Sequence, residues 1–103
     1  MGDRVRESIM DAYLIGHITI KDPVQWKIYV EGVQKSLIPF KAEIIFRAKR
    51  TAVLCGAHPY HSAVVIKFPD PPALHDWYHS KTYQDLIPIR DQAADVVLIG
   101  YEC

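Results

Sequence analysis

Two arginines, five histidines and a run of aromatics are the residues of this chain whose types could do chemistry. His75 and His79 stand four apart in "HDWYHSKTYQDLIPIR", the spacing that puts two imidazoles on one side of a helix. No glutamate lies between them, as the zinc-hydrolase pattern requires, and no third ligand is apparent, so they read as solvated. His58 and His61 in "HPYH" form a second pair, on a loop with no neighbouring carboxylate or thiol. His17 interrupts an apolar stretch, where partial burial would move its proton across neutral pH; it reads as a satisfied core histidine or a proton-transfer group. Arg47 and Arg90 carry the guanidinium fork that clamps carboxylates and other planar anions. Their structural alternatives are a head group extended to solvent and a pairing of Arg90 with Asp91 or Asp95.

The aromatics fall on helical spacing. Trp26, Val30, Val33 and Leu37, with Tyr29 alongside, form one apolar stripe, and Leu74, Trp77 and Tyr78 share another. Such stripes ordinarily anchor helices on a sheet; the functional alternative is that Trp26, Tyr29, Trp77 and Tyr78 line a ligand cleft. Cys55, in an apolar run without a basic neighbour, reads as packing, and Cys103 as inert; both are free thiols. The chain has no Gly-rich phosphate loop, nucleophile elbow, zinc signature or dinucleotide fingerprint.

The elements that must position these residues follow from pattern and punctuation. Residues 1–11 lack hydrophobic periodicity and read as a flexible arm, ahead of a single domain over 12–103. "AYLIGHITI" from Ala12 is a strand with Tyr13, Ile15, His17 and Thr19 on one face and Ala12, Leu14, Gly16, Ile18 and Ile20 on the other. Asp22-Pro23 opens a helix that Pro39 ends. "AEIIFRA" then leads through Lys49-Arg50 into "TAVLC", a connection short enough for a hairpin, before the loop "GAHPYHS" and the strand "AVVIKF". Asp70-Pro71-Pro72 opens the second helix, Ser80 a further turn that Pro88 interrupts, and "DVVLIGY" is the last strand.

Strand, helix, strand, strand, helix, strand is the ferredoxin-like βαββαβ arrangement, an α+β fold with a mainly antiparallel sheet and helices on one face. Several strands are apolar on both faces, while two helices cover only one. A second copy packed sheet to sheet would cover the other, which predicts a homodimer. Extra burial suits a chain of 103 residues. Twelve basic residues balance twelve acidic ones, so no net field favours nucleic acid or an anionic membrane surface. The charged start "MGDRVRESIM" lacks the apolar core of a secretory signal, and the expected location is the cytoplasm.

The segments "YLIGHITIKDP", "AEIIFR", "VVIKFPD" and "WYHSKTYQDLIPIRDQAADVVLIGYE" resemble the family called domain of unknown function 1330, within the dimeric α/β barrel superfamily. The most specific part is the pattern Trp77, Tyr78, Ser80, Tyr83, Leu86, Pro88, Arg90. Where that family often reads F-R-G-G, this chain has Phe46, Arg47, Ala48 and Lys49. The resemblance implies ferredoxin-like protomers joined through their sheets, with Arg47 and Arg90 at recurrent positions, and no established activity. By superfamily analogy it also implies cofactor-free oxygenases, isomerases and decarboxylases as functional relatives. No cofactor is expected; haem occurs in the superfamily, but no axial ligand is identifiable here.

The expectation is therefore a cleft between sheet and helices that takes a small carboxylate-bearing or aromatic molecule. Trp26, Tyr29, Trp77, Tyr78 and Arg90 would line it, and His17 and Arg47 would polarise it. As a cofactor-free enzyme it would use His17 for proton transfer and Arg47 to stabilise an enolate or carboxylate. The alternatives are ligand binding without turnover and a structural dimer.

Overall fold

The computed structural model describes residues 10–103, so the expected arm over 1–11 lies outside the described residues as far as residue 9. Strand β1 (Ala12–Ile20) runs into helix α1 (Pro23–Leu37) and a 3-10 turn at Ile38–Phe40. Strands β2 (Glu43–Lys49) and β3 (Ser62–Phe68) follow, then helices α2 (Pro71–His79), α3 (Lys81–Gln84) and α4 (Ile87–Ala93), and finally β4 (Ala94–Glu102). The sheet order is β2-β3-β1-β4, with every neighbouring pair antiparallel. This is the expected ferredoxin-like α+β fold.

Local chemistry starts each helix. The Asp22 carboxylate accepts from the Val24 and Gln25 amides at 3.1 and 3.2 Å, and Asp70 accepts from Ala73 N at 2.9 Å. Proline occupies the first turn behind each, where its missing N–H costs nothing. Ser80 ends α2 and begins α3: its hydroxyl donates to Trp77 O at 2.6 Å and accepts from Tyr83 N at 3.3 Å. Pro88 falls in the first turn of α4, so the helical run breaks between α3 and α4.

Alternation along the strands sorts side chains to two faces. Toward the helices point Ala12, Leu14 and Ile18 of β1 and Val64, Ile66 and Phe68 of β3, all buried. They meet Tyr29, Val33 and Leu37 of α1, Leu74 and Trp77 of α2, and Tyr83 of α3. Trp77, Tyr83 and Phe68 are among the largest fully buried side chains. Gly32 permits a close approach here, since a β-carbon on it would stand 2.5 Å from Leu86 Cδ2. That contact draws α1 against the segment that follows α3.

The second face carries an apolar row across all four strands: Phe46 opposite Val65, Val65 opposite Ile15, and Ile15 opposite Ile99. Phe46 is 48% and Ile99 37% exposed. The helices leave this face uncovered.

The expected hairpin differs. "TAVLC" is not a strand: β2 pairs with β3, and residues 50–61 form an irregular connection in which Leu54 is 95% exposed. Its apolar, β-branched composition mimics a strand but has no ladder partner in this fold. Arg50 closes the connection at its base. Its amide donates to His61 O at 2.7 Å, and its guanidinium donates to the carbonyls of His58 and Tyr60 at 2.9 and 3.0 Å. Cys55 lies in this segment, exposed rather than packed as expected.

If Trp77 is the central anchor, Trp77→Ala destabilises by about 3–5 kcal/mol in chemical denaturation. Val24→Ala, on the exposed side of α1, stays within about 0.5 kcal/mol of the parent. Comparable losses at both positions would contradict the packing described.

Candidate functional site

A one-residue irregularity in β2 decides which side chain enters the space between sheet and helices. Ile44 pairs with Ile66 and faces the helices; regular alternation from there would turn Phe46 inward and Arg47 outward. The register shifts between Ile44 and Phe46, so Phe46 pairs with Val65 and Arg47 with Val64. This β-bulge at Ile45 inverts the alternation and brings Arg47 to the helix side.

Arg47 there borders a cavity lined also by Trp26, Tyr29 and Trp77, with aliphatic side chains such as Val64 and Leu98 from the sheet. Its volume open to the centre of a water molecule is about 30 Å³, room for one or two waters in the ligand-free chain. Arg47 is exposed, so its head group stands at the mouth, and it has no hydrogen-bond or ion-pair partner among the described residues. The indoles give the interior its aromatic surface: the Trp26 ring lies 5.1 Å from that of Tyr29, and Trp77 packs on Phe68 at 5.5 Å.

Behind this wall runs a buried polar chain. The hydroxyls of Tyr29 and Tyr83 are 2.8 Å apart, and Arg90 Nη1 donates to the Tyr83 oxygen at 3.1 Å. Trp77 Nε1 donates to Ser36 Oγ at 2.9 Å, and Ser36 donates onward to Val33 O at 2.7 Å. Each of these buried polar atoms thus takes part in at least one hydrogen bond. Burial, reinforced by the neighbouring Tyr83 hydroxyl, pushes the Tyr29 phenol far above its ordinary range. For Arg90, partial burial is the largest single influence and opposes the charge, but the hydrogen bond and charge interaction with Tyr83, together with hydrogen bonds to Tyr78 and Asp91, outweigh it, and the guanidinium is held cationic.

The structure brings Trp26, Tyr29, Trp77 and Arg47 to one cavity and leaves the other expected residues elsewhere. His17 corrects the expectation that it and Arg47 polarise one cleft. It pairs with Ala63 and Val97 on the opposite face of the sheet, because strand alternation gives it the parity of Tyr13 and Ile15. Its ring meets His58 at 5.0 Å and Tyr60 at 6.2 Å. Tyr78 packs its ring 5.3 Å from Tyr83 and is not among the cavity-lining residues. Arg90 does not line the cavity either: its guanidinium bonds Tyr83 and the Asp91 carboxylate, the latter at 3.1 Å. Among the described residues no group of three or more histidine, cysteine or acidic side chains is placed to hold a metal. Tyr83 and Ser36, which hydrogen-bond to the cavity-lining Tyr29 and Trp77, are not among the expected site residues, although Tyr83 stands in the family pattern. A hydroxyl at Ser36, inside the apolar stripe of α1, was the available signal.

The Tyr29 environment has a pH signature. A phenol whose folded pKa is raised keeps its proton while the unfolded chain ionises, so its stability contribution, whole below about pH 10, is lost as pH rises further. Between pH 10 and 11, Tyr29→Phe should flatten the fall in unfolding free energy by about 1 kcal/mol. Denaturant midpoints that fall equally in both proteins would place Tyr29 in water.

No protein with a curated description matches this chain. Among solved structures, the RPA0582 protein of unknown function from Rhodopseudomonas palustris aligns with a TM-score of 0.75 at 12% identity, over 95% of this chain and 85% of that one. The hydroxynitrile lyase of Passiflora edulis aligns with a TM-score of 0.68 at 10% identity, over 93% and 94%. A dimeric ferredoxin-like protein of unknown function from Thermobifida fusca gives 0.59 at 17% identity, over 91% and 92%. At these identities the likeness is one of fold. The family model described as "Domain of unknown function (DUF1330)" spans residues 11–101, and the chain, with its ferredoxin-like sheet and the aromatic wall of α1 and α2, belongs to that family.

Proposed function

We propose that this chain is a homodimeric binding protein for a small molecule that joins an aromatic or apolar body to a carboxylate. The observation that carries the reading is the bulge at Ile45, which turns a cation with no partner among the described residues to the mouth of an apolar, indole-walled cavity. A flat apolar ring suits the indoles, and a carboxylate suits the guanidinium fork at the entrance. The ligand replaces the water that the cavity admits.

Binding without turnover suits the lining better than catalysis. A general base works best with a pKa near the operating pH. The polar groups that line the cavity are an arginine, a phenol pushed upward and two indoles. The cofactor-free enzyme with His17 as its proton carrier would need its substrate on the other face of the sheet. A second reading, a structural dimer, is favoured by the small size of the cavity.

Benzoate is a suitable probe, because the only two tryptophans of the chain both border the cavity and report its occupancy by their emission. Saturable quenching is expected, with Arg47→Ala weakening it about tenfold or more and Arg47→Lys less. Unchanged emission up to roughly 10 mM benzoate, a concentration that would reveal affinities weaker than about 4 kcal/mol, would favour the structural dimer.

The dimer is supported by the apolar row Phe46, Val65, Ile15 and Ile99 on the uncovered face, since adjoining half-exposed apolar residues on four strands mark an interaction surface. Light scattering should return about twice the 11.8 kDa chain mass. Ile99→Lys, which sets a charge at the β4 end of that row, should return the single mass. A monomeric parent at micromolar concentration would refute the sheet-to-sheet assembly. Two exposed free thiols, Cys55 and Cys103, support a reducing compartment such as the cytoplasm.

A further inference from the structure

The direction of the hydrogen bonds behind the cavity follows from counting protons. The Tyr83 hydroxyl has one hydrogen to give, and its oxygen already accepts from Arg90 Nη1. Tyr83 is 0% exposed, so water does not reach it, and its one acceptor among the described residues is Tyr29 Oη at 2.8 Å. The reverse order, Tyr29 donating to Tyr83, would load the Tyr83 oxygen with two incoming hydrogens. Its own hydrogen would then be buried without an acceptor. Tyr83 therefore donates to Tyr29.

The Tyr29 hydrogen is then uncommitted. No second partner for its hydroxyl exists among the described residues, Tyr29 is only 6% exposed, and it is among the residues that line the cavity. An uncommitted donor on a buried side chain at a space large enough for one or two waters calls for an acceptor in that space.

We propose that Arg90 and Tyr83 form a positioning relay that turns the Tyr29 hydroxyl hydrogen into the cavity, so that the occupant presents an acceptor oxygen to Tyr29. In the free chain that oxygen is water; in the complex it belongs to the ligand, whose negative charge faces Arg47. The ligand half rests on the binding reading given above, and the relay stands apart from it. The raised pKa of Tyr29 agrees with this role, because it keeps the hydroxyl a donor up to alkaline pH.

Arg90 and Tyr83 touch no ligand in this scheme, so their effect must pass through Tyr29. Tyr29→Phe and Arg90→Met should each weaken benzoate binding about tenfold, as loss of one hydrogen bond predicts. The double variant should bind no more weakly than Tyr29→Phe alone, and Arg90→Lys, which keeps a cationic donor, should recover much of the loss. Additive losses would overturn the relay, since a merely structural arginine would act independently of the Tyr29 hydroxyl. Neutron diffraction of the deuterated, ligand-free protein reads the order without any variant. Deuterium of Tyr83 on the line to Tyr29 Oη, with that of Tyr29 directed to the cavity, is the expected result; deuterium of Tyr29 on the line to Tyr83 overturns the proposal. The expected deuterium order in a protein that does not bind benzoate would support the relay and refute the carboxylate-binding reading.

Discussion

Strict alternation of side chains across a four-stranded sheet is the constraint on which the rest of this molecule depends. Each strand residue belongs either to the helix-covered face or to the bare one, and crossing over takes an extra residue. β2 contains such a residue, at Ile45, and through it Arg47 leaves the face it would share with His17. Two residues with complementary chemistry, a cation and a titratable ring, are thereby kept on opposite sides of a sheet. The helix side becomes an aromatic space with a cation at its mouth, and the bare side an apolar plane with His17 and His58 ring to ring.

The helix side shows how such a small chain accommodates polar atoms in its core. Tyr29, Tyr83, Trp77 and Ser36 are all buried, and their polar atoms are arranged in two short chains ending at a guanidinium and a backbone carbonyl. One chain joins α1 to α3 and α4, the other α1 to α2. Helices that touch the same sheet are thus also fastened to one another by directional bonds, and those bonds fix the relative height of the helices over the sheet more sharply than apolar contact alone.

Much of this was legible beforehand, and the legible parts share a cause. Asp22, Asp70 and Ser80 announce helix starts because capping acts within three or four residues, and the Pro88 break is equally local. The apolar stripes of α1 and α2 are visible in their spacing, and Arg90 pairs with Asp91 beside it as the simplest reading expects. What stayed hidden needs partners distant along the chain. The bulge at Ile45 has no glycine to mark it and exists only relative to β3. "TAVLC" has strand-like composition but no ladder to join. The Tyr29 and Tyr83 hydroxyls, 54 positions apart, meet only once both helices lie on the sheet. His17 could be assigned companions from parity but not a side, because both of its faces are apolar.

The Arg50 clasp separates the course of residues 51–57 from the geometry of the sheet. By gripping the carbonyls of His58 and Tyr60 while its own amide holds His61, it shuts the chain into a noose whose knot lies at the end of the β2–β3 ladder. Length and composition beyond the knot are then free to drift, because enlarging a closed loop costs only slowly growing entropy. The stretch around Leu54, turned out to solvent, can accordingly be lengthened with little consequence for the sheet it hangs from.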